Sequence, residues 1–536
     1  MKQLKGNIVN LYQSYTGYLF PLILAIFVLL GNSYHQVGSW DLCFGSFPKF
    51  LLSLLLLCIL TISLKFFLGI GFRILDFFSS FKAEKYGILS KHVLPKTMIL
   101  LILCWMPYLL AAYPGALCID SQTQLNQVYG YSPFSLHHPM FHTLLMGFFI
   151  KGGQSLLGSA NLGLFLYIAF QTTILAFALS FSIWAMCYKR VPRLWVYLTL
   201  GFYCITPLFG YYASMAIKDT LFNATFLIFM VCFILLWENA PLRFLPFLLA
   251  GSAVCVCQFR NNGIYLIGFT FLFCLILTLK KKCLKEHAKK LLLPILSALI
   301  LHFALNAAIA AIFQPLEGYS REMLSIFMQQ TARFVSEYEQ DITPEETAVL
   351  QNIFGSLEEL KNSYNPHLSD PVKNLFKMDA NSSDLLSYLK VWFSQFWRHP
   401  DAYFEAFFHG AYGWFYPFVD NASKYYDPGF IFTKPAFASS IDKAVSWWYE
   451  AFRRIPVLNL LQSIGMFTWM MFFSISYLWK KNKRQYLLYF GPILLSLLIC
   501  IAAPAFFQHA RYGFPILFCM PFLIGRIIAP TTKSID

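Results

Sequence analysis

Charged residues are scarce in this 536-residue sequence, since Asp, Glu, Lys and Arg together make up only 12% of it. A soluble globular domain usually carries about 25% charged residues. Apolar residues reach 58%, and the mean hydropathy is +0.57. This composition excludes a secreted enzyme, a cytosolic enzyme and a disordered chain, and it predicts an integral membrane protein.

The sequence also lacks the short motifs of common soluble enzymes. No Walker A, GxSxG, HExxH, zinc-finger or dinucleotide-binding pattern occurs, and the 13 cysteines form no CxxC pair. Most cysteines lie inside apolar runs, and the long polar segment 314–455 contains none, which excludes a disulfide-stapled domain there. Cys43 and Cys118 are the one pair that a disulfide bond could join outside the apolar runs. We find no internal repeat and no low-complexity tract.

Basic residues outnumber acidic ones by 41 to 26, but their positions do not indicate a nucleic-acid-binding protein. Lys and Arg form short clusters between apolar runs, while Asp and Glu concentrate in 314–455. This is the charge distribution of a polytopic membrane protein that follows the positive-inside rule. Twelve spans are predicted, at 17–33, 50–70, 97–113, 161–187, 194–212, 220–237, 244–259, 264–279, 291–313, 457–479, 485–505 and 514–530.

The basic clusters predict the direction of the spans. The amino terminus carries Lys2 and Lys5 and no acid, so both termini are expected in the cytoplasm. That orientation holds only if 134–158 does not cross, and the sequence Lys151-Gly-Gly-Gln favours an interfacial or re-entrant helix there. The first span is expected to be an uncleaved anchor, because no small-x-small cleavage site follows it.

The predicted fold class is an all-α polytopic membrane protein with about twelve transmembrane helices, juxtamembrane helices and a largely helical external loop. Its predicted parts are 1–96, with two spans and a basic loop; 97–313, a transmembrane core with the first external loop 114–160; 314–455, an external region; and 456–536, the last spans. The external region holds 18 acidic and 12 basic residues, and Thr343-Pro-Glu-Glu346 predicts a capping box. Its aromatic end, including Trp414 and Trp447, indicates an interfacial belt, with a sugar or lipid site as the alternative.

The first group of unusual polar residues follows the third predicted span. Asp120 is the only acidic residue between Glu84 and Asp219, and His137 and His138 follow in the same predicted external loop. A lone carboxylate at a membrane surface can act as general base for a substrate hydroxyl, and the two histidines could bind a phosphate or a metal. The alternative is that Asp120 is the N-cap of a juxtamembrane helix.

Four further groups lie at predicted outer ends of spans or in the external region. They are Lys218 and Asp219; Arg260, Asn261 and Asn262; Arg333; and His509, Arg511 and Tyr512. Arginine presents a rigid fork that suits phosphate, and asparagine amides suit sugar hydroxyls. The alternatives are helix anchors among lipid headgroups for Arg260 and Arg511, a surface ion pair for Lys218, and a solvated helix surface for Arg333.

Together these groups supply one candidate base, several cations and amides at the level of a membrane-embedded phosphate. This arrangement resembles the GT-C membrane glycosyltransferases, the superfamily of the protein mannosyltransferases and the bacterial aminoarabinose transferase, and above all its uncharacterised bacterial members. The resemblance covers roughly 97–530 and rests on Asp120-Ser-Gln, His137-His-Pro, Arg260-Asn-Asn-Gly, the stretch 325–333, Arg511-Tyr512 and the long late external loop.

The resemblance implies inverting transfer of a sugar from a polyprenyl-phosphate donor. The acceptor does not follow from the resemblance, and we expect a glycan, lipid or protein of the cell envelope. The resemblance places the site on the outer face of a bacterial cytoplasmic membrane. It implies that Asp120 is the catalytic acid of the first external loop, and we expect it to act as general base. From their chemistry we expect His137 and His138 to act beside it and the four further groups to bind the donor phosphate or the substrate.

The resemblance assigns no certain cofactor. The carboxylate pairing that would indicate a metal is missing around Asp120, but a divalent metal stays open. Membrane lipid is an expected partner, and nucleic acid is not. Two other functions stay open at this point: a transporter or flippase of lipid-linked sugars, and a non-catalytic scaffold for envelope assembly.

Overall fold

The computed structural model describes residues 2–81, 89–280, 285–317, 324–377, 380–419, 431–502 and 506–529. Up to residue 280 the elements are α1 (Lys2–Val37), α2 (Asp41–Phe44), α3 (Phe47–Ser80), α4 (Leu89–Ala111), β1 (Ala116–Leu117), α5 (Ile119–Val128), α6 (Met140–Leu157), α7 (Ala160–Tyr188), α8 (Arg193–Ile205), α9 (Pro207–Ser214), β2 (Met215–Ala216), α10 (Lys218–Trp237), α11 (Leu245–Phe259) and α12 (Gly263–Lys280). From residue 285 they are α13 (Lys285–Phe313), α14 (Ser325–Glu337), α15 (Pro344–Phe354), α16 (Leu357–Ser363), α17 (Asp370–Leu375), α18 (Ser382–Arg398), α19 (Pro400–Ala411), α20 (Ala436–Arg454), α21 (Pro456–Leu460), α22 (Ile464–Lys480), α23 (Gly491–Ile501), α24 (Phe506–His509) and α25 (Phe514–Ile528).

Eight helices in these ranges are long and apolar enough to cross a membrane, and the bent pair α8–α9 would make a ninth. They are Gly17–Val37, Phe47–Ser80, His92–Ala111, Ala160–Tyr188, Lys218–Trp237, Glu286–Phe313, Arg484–Ile501 and Ala510–Ile528. The prediction of an all-α membrane protein is therefore confirmed, but the count of twelve spans is not. The other three predicted spans correspond to the shorter helices α11, α12 and α22, which hold 15, 18 and 17 residues.

The predicted span 194–212 is interrupted. Helices α8 and α9 meet at Thr206 with a bend of 52°. Pro207 is the first residue of α9, and a proline lacks the N–H that would continue the hydrogen bonding of α8. The residue before a proline is also driven out of helical geometry, which fits the extended backbone of Thr206.

Helix α10 lies at the centre of the fold. All of its residues are buried, and it packs against α7, α11, α13 and α25. An aromatic stripe runs along it with neighbouring ring centroids 6.1 to 6.3 Å apart, formed by Phe222, Phe226, Phe229, Phe233 and Trp237. Side chains three or four residues apart share one helix face, so this stripe belongs to a single packing surface. A helix of this length spans about 30 Å, which is the thickness of a bilayer's hydrocarbon layer.

Helix α6 covers the segment that is predicted not to cross. It is not among the eight candidate spans, and it lies against the first part of α7. The two helices touch at Gly153 and Gly163, where a Cβ on Gly153 would lie 2.3 Å from the Cα of Gly163. Gly158 has a φ of +67°, which favours glycine, and it turns the chain between the two helices. The interfacial or re-entrant position of α6 stays a prediction.

The region 314–455 is helical where the structure describes it. Helices α14 to α18 surround an apolar core of their own, which includes Met328, Ile353 and Tyr388. The predicted capping box is present, because the Glu346 N–H donates to Thr343 Oγ1 and the Thr343 N–H donates to Glu346 Oε2. The helical prediction for this region is therefore confirmed for the described residues.

The aromatic end of that region is divided between core and surface. Trp414 is fully buried and meets the ring of Phe506 edge-on at 4.8 Å. Trp447 on α20 is 72% exposed, while Val445 and Tyr449 on the same helix pack toward α4 and α9. The exposed aromatic residues, such as Trp447 on α20 and Phe404 on α19, are therefore the ones available for contact with lipid headgroups.

Candidate functional site

Two short strands pair in parallel and join two distant parts of the chain. Strands β1 and β2 align Ala116 with Met215 and Leu117 with Ala216. Each strand is followed directly by a helix, which is α5 after β1 and α10 after β2. The first turns of these two helices therefore lie side by side.

The strand pairing places two acidic residues at equivalent positions. Asp120 and Asp219 stand at the same distance after their strands, and each is the second residue of its helix. A tyrosine also precedes each acid by seven positions, at Tyr113 and Tyr212. No internal repeat is predicted from the sequence, so this Tyr-x6-Asp spacing is a short signal that was missed there.

Asp120 is held by two cations. Its Oδ2 lies 2.6 Å from Lys218 Nζ and 2.9 Å from Arg511 Nη2. Burial alone would raise the pKa of the Asp120 carboxyl, but the charges of Lys218 and Arg511 hold it well below its ordinary value. The alternative that Asp120 is an N-cap is wrong, because the N-cap residue of α5 is Cys118.

Cys118 also bears on the predicted disulfide alternative. Both Cys118 and Cys43 are free thiols, and Cys118 Sγ lies 3.1 Å from Ser121 Oγ. The Ser121 hydroxyl donates in turn to the backbone oxygen of Ala216. This bond adds a side-chain link to the contact between the two strand–helix units.

Asp219 is the buried member of the pair of acids, with no exposed surface. Its Oδ2 lies 3.2 Å from Arg511 Nε, and its Oδ1 lies 3.7 Å from Arg260 Nε. Neither oxygen accepts a hydrogen bond from the described part of the chain. Lys218 and Asp219 are therefore not the surface ion pair that was one expectation, because both are buried at the start of α10.

We call Asp120, Lys218, Asp219, Arg260 and Arg511 the acid–cation cluster. It contains three cations and two carboxylates, so it carries one positive charge in excess when all five groups are ionised. The amino-terminal ends of α5 and α10 add partial positive charge from their free N–H groups. The cluster is therefore electrostatically suited to an anion, such as a phosphate.

Arg260 lies between aromatic rings. Its guanidinium carbon is 3.8 Å from the ring centroid of Tyr512 and 5.0 Å from that of Phe222. With Asn262 these residues line a small recess that reaches Ser496 and Cys500 on α23. Arg260 is only 8% exposed and Arg511 is held by both acids, so neither side chain is the lipid-headgroup anchor that was the alternative expectation.

His138 joins the cluster as a neutral group. Its Nδ1 lies 3.1 Å from Lys218 Nζ. Burial, and then the charge of Lys218, lowers the pKa of His138 to about 2. Because the lysine ammonium can only donate, His138 Nδ1 accepts and Nε2 carries the proton. A neutral histidine still donates one hydrogen bond to a ligand, but it adds no charge.

The loop that carries His138 is fixed from α11 and α12. The Asn261 side chain donates to the backbone oxygens of Leu136 and His137, at 3.0 and 3.4 Å. The ring centroid of His137 lies 4.6 Å from that of His138. Asn261 therefore positions the histidine pair, which differs from the sugar-binding role expected for its amide.

A chain of hydrogen bonds between buried polar side chains ends at strand β2, which precedes Lys218 and Asp219 in the sequence. His142 lies 3.0 Å from Gln124 Oε1 through Nδ1 and 2.7 Å from the Tyr167 hydroxyl through Nε2. Tyr167 donates to Gln171, and Gln171 donates to the Met215 oxygen of β2 at 2.7 Å. Tyr167 and Gln171 are not among the residues predicted from the sequence. Their signal was a glutamine inside an apolar run, which needs a buried partner in a membrane.

Three further residues lie outside the acid–cation cluster, and two of them, Arg333 and His509, are predicted site residues. Arg333 lies on α14 and is engaged by Glu405 and Glu337, so it is neither solvated nor part of the acid–cation cluster. His509 lies beside Tyr512, with ring centroids 5.0 Å apart. Lys151 is exposed on α6 and faces the ring of Tyr129 at 5.7 Å.

The side chains that could serve as metal ligands do not favour a metal site here. In the described ranges, no group of three or more His, Cys, Asp or Glu side chains is arranged to hold a metal ion. Both acids of the cluster are instead paired with Lys218, Arg260 and Arg511. Positive side chains at these distances take the place that a divalent cation would need. The cluster can bind an anion and accept a proton with its own residues.

Comparison with known proteins gives one match. A family model described as a family of unknown function, DUF6020, matches residues 129–535. No curated protein and no solved structure matches the chain. The matched part holds every member of the acid–cation cluster except Asp120, which precedes it. Since the match covers most of the sequence, the chain belongs to the DUF6020 family.

Proposed function

We propose that this chain is a GT-C-type membrane glycosyltransferase. It moves a sugar from a polyprenyl-phosphate donor to a glycan, lipid or protein of the cell envelope, on the outer face of a bacterial cytoplasmic membrane. The observation that carries the proposal is the pairing of β1 with β2. It sets a partly exposed acid and a buried acid among three cations, at the end of a helix one bilayer thickness long.

Asp120 is the base in this proposal. Its side chain is 19% exposed, whereas that of Asp219 is fully buried, so Asp120 is the acid that a substrate can reach. It takes the proton of the acceptor hydroxyl while the acceptor oxygen bonds to the anomeric carbon of the sugar. The bond from that carbon to the phosphate oxygen breaks, and its electron pair leaves with the lipid phosphate. A single displacement of this kind inverts the anomeric centre.

The cations stabilise the leaving phosphate. The donor is a phosphodiester with one negative charge, and the released lipid phosphate approaches two. Lys218, Arg260 and Arg511 lie where that added charge can be offset. Asp219 contacts the Nε atoms of both arginines and is a positioning residue. The small recess lined by Asn262 and Tyr512 opens beside one of these cations, Arg260.

The test compares surface glycans by mass spectrometry in a strain without the gene and in strains that carry the wild-type gene or Asp120→Asn. Protein abundance in the membrane is matched. We expect Asp120→Asn to lose the same sugar as the deletion, with transfer reduced at least about 100-fold. The matched control is Asp370→Asn, which neutralises an exposed acid that pairs with Lys373 on α17.

The outcomes separate the proposed enzyme from the transporter or flippase. Full restoration of the glycan by Asp120→Asn contradicts a catalytic Asp120 and favours transport of a lipid-linked sugar. A deletion strain with an unchanged glycan contradicts both functions. The sugar that disappears identifies the donor.

A further inference from the structure

The acid–cation cluster is closed in this structure, because its two cations nearest the exposed acid are engaged by that acid. Lys218 Nζ and Arg511 Nη2 converge on the same oxygen, Oδ2 of Asp120. A carboxylate held by two donors is a weak base. A phosphate that arrives here therefore needs the same two cations that Asp120 occupies.

Each of the two cations has a second partner that does not depend on Asp120. Arg511 contacts Asp219 through Nε, at 3.2 Å, and uses a different nitrogen, Nη2, for Asp120. Lys218 has the neutral acceptor His138 Nδ1 at 3.1 Å. Both cations can thus exchange Asp120 for another anion while Asp219 and His138 keep them in place.

The exposure of the groups gives the direction of this exchange. The side chain of Asp120 is 19% exposed and that of Arg511 is 18% exposed, whereas Asp219 has no exposed surface. A ligand from outside therefore meets the Asp120 side of the cluster first. Asp219 keeps the guanidinium of Arg511 in place while its Nη2 changes partner.

We propose that the phosphate of the lipid-linked substrate displaces Asp120 from Lys218 and Arg511, so that Asp120 becomes an effective base only when the donor is bound. This inference rests on the proposed function. It adds that the anionic ligand and the base compete for the same two cations and that the donor binds before the acceptor is deprotonated.

The charges balance through the reaction. Three cations, two carboxylates and one phosphodiester sum to zero once the donor is bound. After transfer the lipid phosphate carries a second negative charge and Asp120 carries the acceptor's proton, so the sum is still zero. When that proton passes to water, one negative charge is in excess, and repulsion favours release of the lipid phosphate.

The experiment measures binding of polyprenyl monophosphate to the purified full-length protein in lipid nanodiscs. The comparison is between wild type, Asp120→Asn and Lys218→Gln. We expect Asp120→Asn to bind at least about tenfold more tightly than wild type, because its cations are no longer neutralised by Asp120, and Lys218→Gln to bind more weakly. Unchanged or weaker binding by Asp120→Asn overturns the exchange.

Two further arms keep the result interpretable. In one series, inorganic phosphate replaces polyprenyl monophosphate. Equal affinity for the two ligands would indicate that the site binds free phosphate and not a lipid. Asp120→Ser replaces Asp120→Asn if thermal unfolding without ligand indicates that the asparagine variant is misfolded, and the same tightening is expected.

The failure of this inference differs from the failure of the proposed function. Binding of polyprenyl monophosphate to wild type without tightening in Asp120→Asn contradicts the exchange alone. Absence of binding to every variant contradicts the lipid-phosphate donor and, with it, both proposals.

Discussion

Charged residues lie at both ends of α10, and the carboxylates of Asp219 and Glu238 differ in whether their oxygens accept hydrogen bonds. The acid–cation cluster lies at its amino-terminal end, where neither oxygen of Asp219 accepts a hydrogen bond from the described part of the chain. Glu238 follows its carboxyl-terminal end, and Lys189 and Arg526 contact its two oxygens at 2.6 Å. We call Lys189, Glu238, Tyr489 and Arg526 the Glu238 cluster.

The carboxylate of Glu238 accepts hydrogen bonds, whereas neither oxygen of Asp219 accepts one from the described part of the chain. The Tyr489 hydroxyl donates to Glu238 Oε1 at 2.7 Å, in addition to the bonds from Arg526. An acid at a helix carboxyl terminus is unfavourable by itself, so its two cations offset both its charge and the helix dipole. Filled acceptors suit the Glu238 cluster to tying helices together. The acid–cation cluster instead includes Asp120, a partly exposed acid that can exchange partners with a ligand.

The largest expected effect is on stability. We expect Glu238→Gln to lower the free energy of unfolding by about 3 kcal/mol, because Lys189 and Arg526 would stay buried without a counter-charge. Thermal unfolding of the purified protein measures this loss. Asp120→Asn is the matched change at the other end of α10 and should cost less than half as much, and a larger loss for Asp120→Asn would reverse the contrast between the clusters.

The next largest effects are expected from substitutions of two arginines, Arg511 and Arg526. Arg511→Lys and Arg526→Lys keep the charge but lose the guanidinium fork. That fork reaches both Asp120 and Asp219 in Arg511, and it directs two N–H groups to Glu238 Oε1 in Arg526. We expect Arg511→Lys to reduce sugar transfer about 30-fold, equivalent to about 2 kcal/mol, with little change in the melting temperature. Arg526→Lys should do the reverse, with unchanged transfer per folded molecule and a loss of about 1.5 kcal/mol in stability. Equal behaviour of the two variants would contradict different roles for the clusters.

A smaller effect is expected at Tyr512. The ring lies 3.8 Å from the guanidinium carbon of Arg260, so Tyr512→Leu should lose a cation–π contact of about 1 kcal/mol and weaken binding of polyprenyl monophosphate about fivefold. Tyr512→Phe keeps the ring and is the control. Equal weakening by both variants would assign the effect to the hydroxyl instead of the ring.

The smallest effect is expected at Lys151. This lysine is exposed on α6, and most surface substitutions change stability by less than about 0.5 kcal/mol. Lys151→Gln should therefore leave both lipid-phosphate binding and the melting temperature at wild-type values, measured beside Lys218→Gln. A loss of binding in Lys151→Gln would mean that α6 contributes to the anion site.

The sequence predicts the helices well because hydropathy acts on long runs. Where the structure describes them, the predicted spans fall mostly on helix, with breaks at Thr206 and at 461–463, and Thr343 and Glu346 form the predicted capping box. Span number is harder to predict, because Leu245–Phe259 and its neighbours are apolar but short. Rare charges in an apolar chain are also informative, since Asp120, Lys218 and Asp219 stand out against the apolar residues that surround them in the sequence.

The contact between those charged residues could not be predicted from the sequence. Strands of two residues leave no alternating pattern, so nothing in the periodicity indicates that β1 and β2 pair. Arg333 shows the opposite case. Its own helix offers Glu337 four residues further on, but Glu405, far along the chain, also engages it in the folded protein. Tertiary contacts of this kind decide whether a charged residue is available to a ligand.

The length of the central helix α10 limits how its sequence can vary. An inserted or deleted residue in α10 turns everything beyond it by about 100° and moves it by about 1.5 Å. Such a change would swing either Asp219 away from Arg511 or Glu238 away from Arg526. The stretch from 219 to 238 should therefore tolerate substitutions among apolar residues but no change in length. The length of α10 thus fixes the distance between the acid–cation cluster and the Glu238 cluster.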